Sequence, residues 1–193
     1  MRELTPAALR ERFPTLFGGL DDTSTQRVLD RLSVLSFEDH ATVLRRGEKS
    51  DSIYLIWAGG LEVVLHIQAE MVTLARREEG NWVGELSVLD PDKVTADVVA
   101  TSPTTCLLQL TASDFDSLRE EDAVAGRAVL HGLVRDLSRR IRVSQEQAWR
   151  HEGGRWVLET AMQDREKGWA SRLWTRFLGG EGCPPSRSPS CDV

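Results

Sequence analysis

Three cysteines are too few and too scattered to staple this chain: Cys106 sits in an apolar run, and Cys183 and Cys191 lie near the C-terminal end. Reduced thiols and a cytoplasmic setting are the expectation. No window approaches the roughly 18 apolar residues that crossing a membrane requires, and Met1-Arg2-Glu3-Leu4-Thr5-Pro6 has no apolar core of signal-peptide length. Positive charge is in deficit, with 24 Lys+Arg against 30 Asp+Glu and a formal charge of -6. That balance repels a polyanion on average, so no DNA partner is expected. The sequence also lacks any Ser/His/Asp, Cys/His or P-loop signature. His40, His66, His131 and His151 have no spacing with Cys, Asp or Glu that suits a metal. These absences leave no case for catalysis, for a metal or for an obligatory cofactor.

What is present divides into stretches of different period. Pro6–Phe13 carries helical signals, Gly18-Gly19 breaks them, and Asp21-Asp22-Thr23-Ser24 offers caps before Gln26–Leu32, so two short helices are predicted within 1–33. Over 34–120 the texture turns to short β-branched runs punctuated by Gly, Asp and charge. These runs are Thr42–Leu44, Ile53–Trp57, Leu61–Leu65, Met71–Leu74, Val94–Ala100 and Thr105–Leu108. Regular short strands with turn signals predict a small sandwich or barrel. Ser113–Leu118 reads as a capped helical turn. Over 121–150 apolar residues recur at Val129/Leu130, Leu133/Val134, Leu137 and Ile141, the spacing of one long amphipathic helix. Glycines break 151–178 into shorter helical pieces, and 179–193 reads as a loose tail.

The most informative run is Gly84-Glu85-Leu86-Ser87-Val88-Leu89-Asp90-Pro91-Asp92-Lys93-Val94-Thr95-Ala96-Asp97-Val98-Val99-Ala100. It resembles the phosphate-binding cassette of cyclic-nucleotide-binding domains of the catabolite-activator and protein-kinase regulatory type. Phe13-Pro14-Thr15-Leu16-Phe17 is similar to that family's entry, and Leu44–Val63 resembles its glycine-bounded strand pair. The resemblance covers roughly Phe13 to Arg150. It implies a mostly β, jelly-roll-like β-roll with flanking helices and a long C-terminal helix.

The resemblance further implies that Gly84, Glu85, Leu86, Ser87, Lys93, Val94 and Thr95 are the ligand-site positions. The family pairs the cyclic phosphate with an Arg nine residues after the Glu, and the Glu accepts a hydrogen bond from the ribose. Counting nine from Glu85 reaches Val94. Loss of one charged hydrogen bond weakens binding by about 1.5–3 kcal/mol, roughly ten- to a hundredfold. Lys93 is expected to point to the opposite face, and whether Arg76 or Arg77 reaches in from a hairpin is left open by the sequence. Two outcomes stand open: a pocket without nucleotide, in which Glu85 caps its own short helix, or a retained cyclic-nucleotide or related anion site. Tyr54 and Trp57 are read as core or rim.

Too few residues follow Arg150 for a DNA-reading module. Trp169, Leu173, Trp174, Phe177 and Leu178 instead share one helical face, ringed by Lys167, Arg172 and Arg176. This face is expected to pack internally, on another protein or on a membrane surface. Leu130, Leu133, Val134, Leu137 and Ile141 could pack on the β-roll alone, but the equivalent helix commonly makes the dimer contact in the family, so a homodimer is expected.

Overall fold

The computed structural model describes residues 3–67 and 70–151. Helix α1 (Pro6–Arg12) begins where Thr5 accepts a hydrogen bond from the Ala8 amide at 3.2 Å, and Pro6 takes the first helical position, where its missing N–H costs nothing. The sequence predicts two helices ahead of the sheet, and the structure has three. Pro14 restarts the chain as α2 (Pro14–Phe17), because proline's fixed φ is preset for a first helical residue. Asp21 caps α3 (Asp22–Leu29) by accepting from the Ser24 amide at 2.7 Å.

Among the described residues, ten strands follow, interrupted by one short helix. They are β1 (Ser33–Glu38), β2 (Thr42–Leu44), β3 (Lys49–Ser50), β4 (Ser52–Ala58), β5 (Gly60–Ile67), β6 (Glu70–Glu78) and β7 (Trp82–Val83). After α4 (Glu85–Leu89) come β8 (Asp92–Lys93), β9 (Asp97–Ala100) and β10 (Thr104–Thr111), then α5 (Ala112–Glu121) and α6 (Ala123–His151). The strands make two antiparallel four-stranded sheets, ordered β1-β10-β4-β7 and β2-β9-β5-β6, with β3 and β8 as a separate pair. The residue texture predicts a small sandwich or barrel, and this is the β-roll with flanking helices that the family resemblance implies.

Strands β1, β3, β7 and β8 match none of the six expected runs, and two of the runs that do form strands change outline. The run from Val94 becomes strand only at Asp97, because Val94 spends its N–H on the Glu48 carbonyl and its carbonyl on the Gly47 amide, both at 2.8 Å. Strand β6 runs on through Arg76-Arg77-Glu78, which have no apolar alternation. Their backbone pairs with Gly60–Glu62 of β5 and decides the matter.

The core lies in two layers. Ile56, Leu107, Leu44, Leu61, Val83, Val98 and Ala100 fill the space inside the roll. Ile53, Leu55, Trp57, Trp82, Leu108 and Leu110 point to the other side of the same sheet, against Leu9, Phe13, Phe17, Phe115, Leu118, Val129 and Leu133 of the helices. Strands β4 and β10 are therefore buried on both faces, which is why they read as unbroken apolar runs. Arg12 fastens the entry helix to this layer. Its guanidinium lies 5.0 Å from the Trp57 ring, donates to the Trp57 carbonyl at 2.5 Å and pairs with Glu79.

Asp122 starts the long helix. It accepts from the Val124 and Ala125 amides at 3.1 and 3.0 Å, from the Ser24 hydroxyl at 2.8 Å and from Arg27 at 2.8 Å. The chain divides into two compact units, Met1–Ser138 and Arg139–Val193. Within the second, the described residues are helical. Among the described residues, no helix is long and apolar enough to cross a membrane.

Candidate ligand-binding cassette

Gly84 makes the turn from β7 into α4. Its φ of 82° lies in the left-handed region, and a Cβ there would sit 2.4 Å from the Ser52 carbonyl oxygen. The turn is thus pressed against the backbone of β4, which only glycine allows. The Val88 amide then donates to the Gly84 carbonyl at 3.2 Å and starts the helix. Glu85 is half-buried in its first turn, Leu86 is 55% exposed, and Ser87 and Val88 are buried.

The other arm of the cassette is held by the β3–β8 pair. Lys93 stands opposite Lys49, both exposed, while Val94 is half-buried and packs against the inner cluster with Val43, Tyr54 and Val63. Val83, the residue before Gly84, belongs to that cluster. Thr95 is exposed and Ala96 buried. Asp97 latches the loop over this arm: it accepts from the Arg46 amide at 2.8 Å and pairs with His66 at 3.1 Å. The Arg46 amide bond, helped by His66, holds its carboxyl below the usual range.

The candidate cations go different ways. Arg76 pairs with Glu62 at 2.7 Å. Arg77 stands across from Leu61 and donates to the Arg76 carbonyl at 3.2 Å. Trp57 lies in the outer layer beside Phe13, whereas Tyr54 faces the inside of the roll. Tyr54 pairs in register with Gln109 of β10 on one side and with Val83 of β7 on the other. Gln109 donates to the Tyr54 hydroxyl at 3.4 Å and to the Ser52 hydroxyl at 3.0 Å, and Ser52 donates to Asp51 at 2.8 Å. Burial raises the Tyr54 phenol above its ordinary value. Sequence reasoning missed this row. Its one trace was a glutamine inside the apolar run Cys106-Leu107-Leu108-Gln109-Leu110.

The residues expected to form a dimer contact separate by burial. Leu133 is fully buried in the outer core layer. It is taken up within the chain because Gly132 lets α6 approach Leu16, a Cβ there lying 2.7 Å from the Leu16 side chain. Leu130 is half-buried against the same layer and Leu137 is half-buried, while Val134 and Ile141 are 48% and 58% exposed. Trp169, Leu173, Trp174, Phe177 and Leu178 lie outside the described residues, as do 152–178 and the tail 179–193. Among the described residues, no group of three or more His, Cys, Asp or Glu is placed to hold a metal.

An antiparallel roll closed by a glycine-started helical cassette and followed by a long helix is the architecture of a β-roll domain with flanking helices. Residues 34–122 match the family model of the cyclic nucleotide-binding domain, and this part of the chain belongs to that family. A solved cyclic nucleotide-binding domain from Methylobacillus flagellatus superposes with a TM-score of 0.69 at 22% identity, covering 79% of this chain and 88% of that one. The regulatory subunit of a cAMP-independent protein kinase A from Trypanosoma cruzi, solved bound to guanosine, superposes with a TM-score of 0.53 at 25% identity. It covers 63% of this chain and 41% of that one. Rap guanine nucleotide exchange factor 3 of Homo sapiens is 31% identical over 107 residues, which are 53% of this chain and 11% of that protein. The chain thus spans only about a tenth of that curated relative's length.

Proposed function

We propose that this chain is a non-enzymatic regulatory or adaptor protein whose cyclic nucleotide-binding domain does not read a cyclic phosphate, and which works through contacts made by its C-terminal helices. One observation carries the reading: the position of the phosphate-pairing cation holds Val94, whose side chain is half-buried in the inner apolar cluster. A phosphate monoanion brought there meets hydrocarbon where it needs a charged donor. The Trypanosoma cruzi regulatory subunit, described as cAMP-independent and bound to guanosine, supports a member of this fold working without a cyclic phosphate.

Calorimetric titration of the full chain with cyclic AMP and cyclic GMP tests the reading. Weak or absent binding is expected. Micromolar binding that Glu85→Ala abolishes overturns it, and the same binding lost in Arg77→Ala identifies the replacement cation.

The partner of α6 in this reading is a second copy. Leu130, Val134, Leu137 and Ile141 recur at intervals of four, three and four residues, with leucines alternating with β-branched residues as in two-stranded parallel seams. A monomer mass by light scattering at micromolar concentration removes this contact. The aromatic face of Trp169, Trp174 and Phe177 is assigned to a different protein, and equal liposome flotation with and without residues 167–178 removes the membrane alternative.

A further inference from the structure

We infer that the inner end of the roll takes an uncharged nucleoside-type ligand, a heteroaromatic ring carrying sugar hydroxyls, whose ring edge is read by Gln109 and Tyr54. This rests on the reading above that the cassette does not bind a cyclic phosphate, and it names what the same site accepts instead. The register puts Gln109, Tyr54 and Val83 side by side across β10, β4 and β7. Gln109 and Tyr54 are half-buried, whereas Ile56 and Leu107, deeper on the same face, are fully buried. Val63 of the opposite sheet and Val94 of the cassette pack against the same cluster.

The polar groups of this row carry no charge. The Gln109 amide donates to Tyr54 and Ser52, which sets its orientation and leaves its carbonyl oxygen as the acceptor for a ligand N–H. The Tyr54 phenol has its pKa raised by burial and stays neutral. Apolar walls with a few fixed neutral hydrogen-bonding groups suit a flat heteroaromatic ring. The Glu85 carboxylate, half-buried on the turn that follows Val83, is an acceptor for hydroxyl groups. A hydroxyl donor pairs with it without the repulsion a phosphate suffers.

The test is calorimetry on the full chain with adenosine, guanosine and inosine, each beside its 3′,5′-cyclic monophosphate. At least one nucleoside is expected to bind tenfold or more tightly than its cyclic monophosphate. Tyr54→Phe, a substitution that keeps the ring packing, is expected to weaken that nucleoside severalfold, and Val94→Arg to reverse the order of the pair. Melting curves establish that both variants fold, and Tyr54→Phe alone decides if Val94→Arg does not. No nucleoside binding up to millimolar concentration overturns the inference and leaves the functional reading standing. Cyclic monophosphates that bind as tightly as the nucleosides overturn both.

Discussion

Asp122 joins the start of α6 to α3, and its removal is the sharpest single perturbation of this fold. The carboxylate is 7% exposed and accepts from the Ala125 amide, the Ser24 hydroxyl and the Arg27 guanidinium, in that order of effect, which lowers its pKa from 3.8 to about 2. At about 1.4 kcal/mol per pH unit this corresponds to roughly 2–3 kcal/mol of stability at neutral pH. The sign follows from the direction: a carboxyl depressed by folding stabilises above its unfolded value near 3.8 and loses that contribution as the pH falls toward 2. Asp122→Ala removes the helix cap as well and strands Ser24, so a loss of about 2–4 kcal/mol is expected. Asp122→Asn keeps an acceptor for the cap and is expected to lose about half as much. Urea denaturation at pH 7, pH 4 and pH 2 measures both. A wild-type to Asp122→Ala difference below about 0.5 kcal/mol at pH 7, or one that does not shrink between pH 4 and pH 2, refutes the argument.

Gly84→Ala forces a Cβ to within 2.4 Å of the Ser52 carbonyl at a φ of 82°, and should cost about 1–3 kcal/mol and lower the melting temperature. Leu133→Ala, fully buried, should cost about 2–5 kcal/mol without altering self-association at a temperature where the variant stays folded. Val134→Asp with Ile141→Asp, both positions largely exposed, should leave the melting temperature of the dilute protein within a few degrees. The mass measured by light scattering should fall to that of one chain. Arg12→Ala loses the Trp57 ring and carbonyl contacts and the Glu79 pair, and should destabilise by about 1–3 kcal/mol. Arg12→Lys should recover only part of this, because a single ammonium cannot stack and fork at once.

A strand-rich middle of the chain was legible because short β-branched and apolar runs with glycine punctuation report strands locally, while the β-roll arrangement followed from the family resemblance. The cassette was legible through its resemblance to the family's pattern, and the structure supplies a physical reason for its first residue. A left-handed turn pressed on Ser52 demands glycine at position 84, and the spacing to Val94 is a property of the chain alone. The outward face of α6 was only partly legible. Periodicity marks which residues share a helix face but not which neighbour covers it, so Leu133 and Val134, adjacent in sequence, looked equivalent until packing put Leu133 in the core and left Val134 exposed.

The sequence by itself determined the order of the expected helices and strand runs and the place of Val94 nine residues after Glu85, since each depends on residue type and local spacing. Only the tertiary structure decided that Val94 packs among apolar neighbours on the inner face, that Asp97 is latched to the Arg46 amide, and that Gln109, Tyr54 and Val83 form one row. That row joins strands more than twenty residues apart, and strand register is set by long-range pairing that no local pattern encodes.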